Sequence, residues 1–286
     1  MQMKNKVKSE RGMMTTYVVI TVLTFTIILT TIFVTSTAIR KNQLRTLVEI
    51  KRIYEKDNNR KQTLYAELKN SNYVQDSIAL YCEATNNIGG VHSNTTKTWR
   101  NLRGNNGGIL INMNTDEGGS WGTNYLSFSG ENDYVSIPHS SAIAPSSFTI
   151  ELVLNREEIL NSKKSTILSK WVGYKIELNT DNTISFGIND NDSYCTSTKA
   201  ITLGEDCNIA VTYENKTQKI YINSELVGQK AITSDYSYSA VNLTIGTYDT
   251  DYPFKGKIYA IRMYNRCLSE EEILRNYNVD KQKYNI

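Results

Sequence analysis

The chain has 286 residues, with 32 Lys and Arg against 29 Asp and Glu, two His and four Cys. That length accommodates one large domain with appendages and a core that closes without metal or disulfide. The net charge of +3 conceals a split: residues 1–70 carry 13 basic and 5 acidic side chains, the remainder 19 and 24. The basic residues flank an apolar segment instead of covering a folded face, which argues against a nucleic-acid protein and for contact with anionic lipid. Cys82, Cys195, Cys207 and Cys267 contain no C-x-x-C spacing, and His92 and His139 are the only histidines, so a zinc site is not expected. Four cysteines allow three pairings; buried free thiols are the preferred reading, with a local Cys195–Cys207 bridge or a long-range Cys82–Cys267 bridge as alternatives.

Residues 1–14 form a short basic tail. Residues 15–39, TTYVVITVLTFTIILTTIFVTSTAI, carry no charge and are long enough as a helix to cross a hydrocarbon core about 30 Å thick. Threonine hydroxyls can bond back to the carbonyl one turn earlier, so they weaken such a span little. The apolar run is longer than a cleaved secretory signal requires, which favours a retained anchor in membrane lipid. In residues 40–72, Leu44, Leu47, Val48, Ile50, Ile53 and Tyr54 recur at helical spacing between charges. This predicts an amphipathic helical stalk whose stripe either pairs with another helix or lies on the chain's own domain. Basic residues stand on both sides of the span, and a count of positive charge alone would keep the C-terminal domain inside.

From Ile78 the texture changes to short runs of period-two alternation split by Asn, Gly, Asp and Ser. Leu126/Phe128, Val135/Ile137, Phe148/Ile150/Leu152/Leu154, Tyr174/Ile176/Leu178, Ile184/Phe186/Ile188, Ile209/Val211/Tyr213 and Ile220/Ile222 predict antiparallel strands, with hairpins at NTDN and ENKTQ. "VNLTIG" and "KGKIYAIRMYN" supply two more strands. The chain closes on LSEEEILRNY, where Ser269 and Glu272 predict a capping box and a short C-terminal helix. Glu131 and Asp133 stand two apart, a spacing close to that of a glycosidase's acid and nucleophile, but SGEN is turn chemistry between two strands, so the turn is the better reading.

Two resemblances follow from these stretches. The basic leader, Gly12 directly before the apolar run and one long helix loosely resemble type IV pilins and pseudopilins, although Tyr17 stands where that family usually carries a glutamate. The resemblance implies cleavage after Gly12, helix–helix assembly and an exterior C-terminal domain. The body, through LSFSGENDYVSIP, SFTIEL, ILSKW, YKIEL, IAVTYENKTQKIYIN, LTIG and FKGKIYAIRMYNRCLSEEEI, resembles laminin-G-like jelly-roll domains of the concanavalin A-like lectin/glucanase superfamily. That implies an all-β antiparallel sandwich over residues 75–286, binding ligands at one rim or on a concave face. Asn223-Ser224 replaces the Asn-Gly usual after such a strand, which predicts a looser turn. The superfamily's glucanases carry Glu-x-Asp-x-Glu; here Glu131, Asp133 and Val135 lack the third carboxylate, so no enzyme is expected.

Some superfamily members bind calcium, an ion that takes several oxygen ligands. Asp190 and Asp192 in NDNDS, or Asp249 and Asp251 in YDTDYP, are the candidate carboxylates. Trp171, Tyr248 and Tyr252 are the candidate rings for stacking on a sugar. The sequence thus predicts a membrane-anchored, cell-surface module of a low-GC bacterium, given its Lys, Ile and Asn bias, that binds glycan or a surface protein without catalysis. A minor pilin-like component and a degenerate glycoside hydrolase are the alternatives.

Overall fold

The computed structural model describes residues 2–70, 72–87, 96–113, 118–189, 194–247 and 252–286, and within these ranges the side chains of 13–56 and of 72 onward. The chain divides into two compact units, Met1–Lys69 and Asn70–Ile286. The first is a single helix, α1 (Gln2–Asn70), which runs unbroken through the tail, span and stalk that the sequence separates. No proline falls inside it, and Gly12 alone does not interrupt it. It is long and apolar enough to cross a membrane. The hydroxyls of Thr21, Thr26, Thr31 and Thr37 each donate to the carbonyl four residues earlier at 2.7–2.8 Å. Their polarity is therefore spent inside the helix.

The second unit is a β-sandwich. In chain order its strands are β1 (Ile78–Glu83), β2 (Thr98–Trp99), β3 (Gly108–Ile111), β4 (Leu126–Ser129), β5 (Tyr134–Ile137), β6 (Phe148–Arg156), β7 (Ser165–Lys170) and β8 (Tyr174–Leu178). There follow β9 (Thr183–Ile188), β10 (Tyr194–Ala200), β11 (Asp206–Glu214), β12 (Thr217–Ile222), β13 (Glu225–Ala231), β14 (Leu243–Ile245) and β15 (Lys255–Tyr264), then helix α2 (Glu270–Tyr284). Among the described residues they form two antiparallel sheets. A seven-stranded sheet runs β1-β15-β6-β11-β12-β13, with β4 also on β15, and an eight-stranded sheet runs β10-β9-β8-β7-β14-β5-β3-β2.

The alternating residues explain the sandwich. Ile150, Leu152 and Leu154 from one sheet, and Val135, Ile137, Ile176 and Ile184 from the other, enter one core. Phe148 lies at its aromatic centre, with ring centroids 4.9 Å from Tyr174, 5.7 Å from Tyr213 and 6.2 Å from Phe186. Two hairpins turn on two residues each, Asn215-Lys216 and Asn223-Ser224, all four with positive φ. The second is therefore a tight turn, not the looser one expected. Asn tolerates this backbone, and Asn223 is further fixed because its Oδ1 accepts from Asn208 N at 2.9 Å.

The outer faces of the two sheets differ. On the seven-stranded sheet, Glu151 and Arg262 are cross-strand partners, and α2 covers them. Arg262 donates to Glu151 and Asp280, and Asn276 donates to Glu151. The predicted capping box starts that helix: Ser269 Oγ accepts from Glu272 N while Ser269 N donates to the Glu272 carboxylate. No helix lies on the eight-stranded sheet among the described residues, although Thr166, Ser169, Glu177 and Ser185 on its outer face are buried. Its cross-strand registers place Thr98, Ile109, Ser136, Thr244, Ser169, Lys175, Gly187 and Tyr194 in one row across all eight strands. Thr166, Glu177, Ser185 and Thr196 form a neighbouring row. Since successive strand residues face opposite ways, and Ile176, Leu168 and Val135 belong to the core, both rows face outward.

Candidate functional site

The open face is hydroxyl-rich, and its charge is concentrated where β7 and β8 begin and end. Glu177 is only 2% exposed. One carboxylate oxygen accepts from Lys164 Nζ at 3.0 Å; the other, Oε1, is buried with no partner among the described residues. The hydroxyls of Thr166, Ser169 and Thr247 are likewise buried and, among the described residues, unbonded, and Thr166 is the cross-strand partner of Glu177. Leaving a buried acceptor unsatisfied costs about 1–3 kcal/mol, so this corner of the sheet holds unused polar capacity.

Lys164 lies just before β7 and links this corner to two aromatic rings. Its Nζ is 5.1 Å from the centroid of Tyr252 and 5.8 Å from that of Tyr194. Tyr252 is placed by its backbone, whose carbonyl accepts from Thr166 N at 2.8 Å. Tyr194 lies across Gly187, where a Cβ would come within 2.5 Å of the ring, so only glycine admits that pose. Beside Lys164 opens a polar cavity of about 340 Å³ lined by Gly130, Glu131, Leu160, Asn161, Lys163, Lys164 and Pro253.

The two carboxylates of SGENDY part company here. Asp133, 1% exposed, accepts from Gly119 N, Ser129 N and Ser129 Oγ at 2.7–3.0 Å. It closes the β4–β5 turn, as the turn reading expects. Glu131 is exposed at the tip and lines the cavity.

Of the candidate rings, Tyr252 sits beside Thr166 at the start of β7, and Trp171 directly follows its other end. Five residues of strand separate them by about 16 Å, so they belong to different patches. Trp171 is 41% exposed and its carbonyl accepts from Ser239 Oγ at 2.7 Å. Around it, Tyr238 and Val241 are also exposed. Lys170 beneath is buried and holds the carbonyls of Ser239 and Val241, with its Nζ 3.0 Å from His139 Nδ1. Burial lowers the Lys170 pKa. Tyr248, Asp190, Asp192, Asp249 and Asp251 lie outside the described residues. Among the described residues no three His, Cys, Asp or Glu side chains gather as a metal would need.

Lys164, Glu177 and Tyr194 were not among the sequence candidates. The signal was present in YKIEL: Tyr174, Ile176 and Leu178 point inward, so Lys175 and Glu177 must share the opposite face.

The laminin-G-like family model of the concanavalin A-like lectin/glucanase superfamily matches residues 129–274, just over half of the chain. The chain belongs to that superfamily. Its sandwich is similar to that of Trypanosoma rangeli sialidase, at 13% identity and a TM-score of 0.57, over 72% of this chain and 33% of that one. It is also similar to domain 4 of an extracellular family 43 arabinanase from Geobacillus stearothermophilus in complex with arabinotriose, with 16% identity, a TM-score of 0.54, and 71% and 100% of the two chains covered. A third likeness is to botulinum neurotoxin type C, whose uptake by cells depends on two ganglioside molecules, with 18% identity, a TM-score of 0.52, and 71% and 51% covered. The laminin-G-like chain spans about a third of the length of the sialidases it matches. At these identities the likeness is one of fold. No curated protein matches the sequence.

Proposed function

We propose that this chain is a membrane-held, cell-surface module that binds glycan on the open face of its eight-stranded sheet without altering it covalently. The observation that carries the reading is the Lys164–Glu177 corner: a buried carboxylate oxygen without a partner among the described residues, reached by displacing one half-exposed lysine, beside two tyrosine rings. A sugar hydroxyl that takes the place of Lys164 satisfies Glu177, and the tyrosines offer apolar faces with polar edges to the pyranose or furanose ring. The apolar stretch of α1 supports the anchor, and the superfamily's lectins and hydrolases support a saccharide ligand.

A glycan array probed with residues 70–286, which contain the whole sandwich core, tests the binding. Retention of a saccharide series by the wild type and its loss in Glu177→Gln is the expected result; an array and a surface-protein pulldown that are both blank remove the reading. Protease treatment of intact cells tests the sidedness, since an exterior sandwich is shaved and an interior one survives. Turnover of a polysaccharide that disappears in Glu131→Gln or Glu177→Gln would make the module a hydrolase instead.

The unbroken α1 from Gln2 to Asn70 favours one second reading, a pilin-like subunit carrying the sandwich on a filament. N-terminal sequencing of the native protein decides it: a first residue of Met13 supports assembly, and Met1 or Gln2 removes it.

A further inference from the structure

At the opposite end of the same open face, beyond Ile109 and Thr98, a second cavity of about 480 Å³ is lined by Thr98, Arg100, Asn101, the Gly104–Gly108 segment, Ile109 and Pro138. The loop that forms it is held firmly. Asn101 Oδ1 accepts from Tyr81 N and Arg103 N at 3.0 Å each, Asn87 Oδ1 accepts from Arg100 N at 2.7 Å, and Leu102 N donates to Tyr81 O at 2.7 Å. Gly107 returns so close to β2 that a Cβ there would lie 2.8 Å from Trp99 O. Ile109, 48% exposed, and Pro138 are the apolar part of its lining.

The charge of this loop is out of keeping with its surroundings. Residues 96–113 contain Lys97, Arg100 and Arg103 and no acid, in a body that is otherwise acid-rich. Lys97 is spent on the Met113 carbonyl at 2.9 Å. The Arg100 guanidinium makes no hydrogen bond or ion pair among the described residues, although the backbone beneath it is pinned. A planar, permanently charged fork on a rigid loop, beside amide side chains and an apolar platform, suits a planar or tetrahedral oxyanion carried on a ring.

We propose that this cavity is the subsite for the acidic group of a saccharide, so that the glycan taken by the open face is anionic. This rests on the reading that the open face binds glycan. The acid, a carboxylate or a sulfate, pairs with Arg100, and the ring it belongs to lies on Ile109 and Pro138. The eight-stranded row between this subsite and Tyr194 is roughly 30 Å across at the usual strand spacing, which fits an extended chain better than a monosaccharide.

Calorimetric titration of the full chain in detergent micelles tests this with oligogalacturonate, sulfated chondroitin oligosaccharide and neutral cello- and arabino-oligosaccharides. At least one anionic probe is expected to bind more tightly than the neutral ones, and to weaken about 10- to 100-fold in Arg100→Gln with an unchanged melting temperature. Arg100→Lys is expected to recover part of that loss, and added salt to weaken the anionic probe selectively. The two anionic arms distinguish carboxylate from sulfate, and tight binding of either supports the subsite. Anionic probes that bind no better than neutral ones, or that ignore Arg100→Gln, overturn the subsite while glycan binding stands. Failure of every saccharide overturns both.

Discussion

Arg262 and Asp280 form a two-pronged ion pair from which solvent is shut out: Nη1 donates to Asp280 Oδ1 at 3.0 Å, Nη2 donates to Oδ2, and the two side chains are 1% and 0% exposed. Nε of the same arginine donates to Glu151 at 2.8 Å, and Tyr73, Asn208 and Asn276 complete the set. One cation thus serves two buried carboxylates. Such a group is costly to break and inexpensive to replace as a whole. Asp280→Ala is expected to destabilise the sandwich by about 3–5 kcal/mol, measured by urea unfolding of residues 70–286. A triple replacement of Glu151, Arg262 and Asp280 by apolar residues of similar volume is expected to cost much less, and equal losses in both variants would refute the account.

Glu83 gives a pH dependence with a definite sign. Burial pushes its pKa up, but bonds from Lys283, Asn86 and Tyr284 outweigh this and hold it below the ordinary value of 4.5. A carboxyl depressed in the fold contributes stability that is complete above the unfolded value and is lost as pH falls through the folded one. Unfolding free energy is therefore expected to decline from about pH 5 downward, and Glu83→Gln to flatten that decline. An acid limb that is identical in the variant would assign the effect to other carboxyls.

The two aromatic patches should separate by mutation. Tyr252→Ala is expected to weaken saccharide binding by about 3- to 10-fold, the scale of one ring contact, whereas Lys164→Ala, which removes the group that the sugar hydroxyl displaces, is expected not to weaken it. Trp171→Ala, about 16 Å away along β7, is expected to leave that affinity within twofold. A dominant effect of Trp171 in the same titration would move the site to the opposite end of the strand.

All four cysteines are free, in line with the preferred sequence reading. Burial pushes the Cys207 thiol up to about 12 and Cys82 higher still, which removes the reactive thiolate at neutral pH. Thiol titration is expected to count four groups in denaturant, and in native buffer to label Cys267, the half-buried one, before the others. A count of two or none would mean that bridges form.

The sandwich was legible because its central strands alternate strictly and bury one face in a shared core, as Phe148–Leu154 and Tyr174–Leu178 do. The edge strands β10 and β13 were not, since YCTSTKA and ELVGQKA each bury only one or two side chains and so carry little period. The buried charge was also invisible. Glu151 and Arg262 occupy the polar positions of alternating strands, which read as solvent-facing, and only a helix from the far end of the chain converts that face into an interior. The candidate site was half legible: Tyr252 was named, but its partners Lys164, Glu177 and Tyr194 come from three separate segments whose meeting depends on the register of β8 with its neighbours.

The clamp on the first residues of the sandwich has a mechanical consequence. Tyr73 OH donates to Asp280, Val74 N to Asn276 Oδ1, Tyr264 OH to Val74 O, and Arg275 Nε to the carbonyl of Asn72. Tension drawn through residue 72 therefore falls first on α2 and β15, which hold residues 72–74, and not on β8, which carries Glu177. A tug strong enough to peel the C-terminal helix would spend its work on that fastening while the saccharide-facing layer kept its shape, so grip and tether can fail independently.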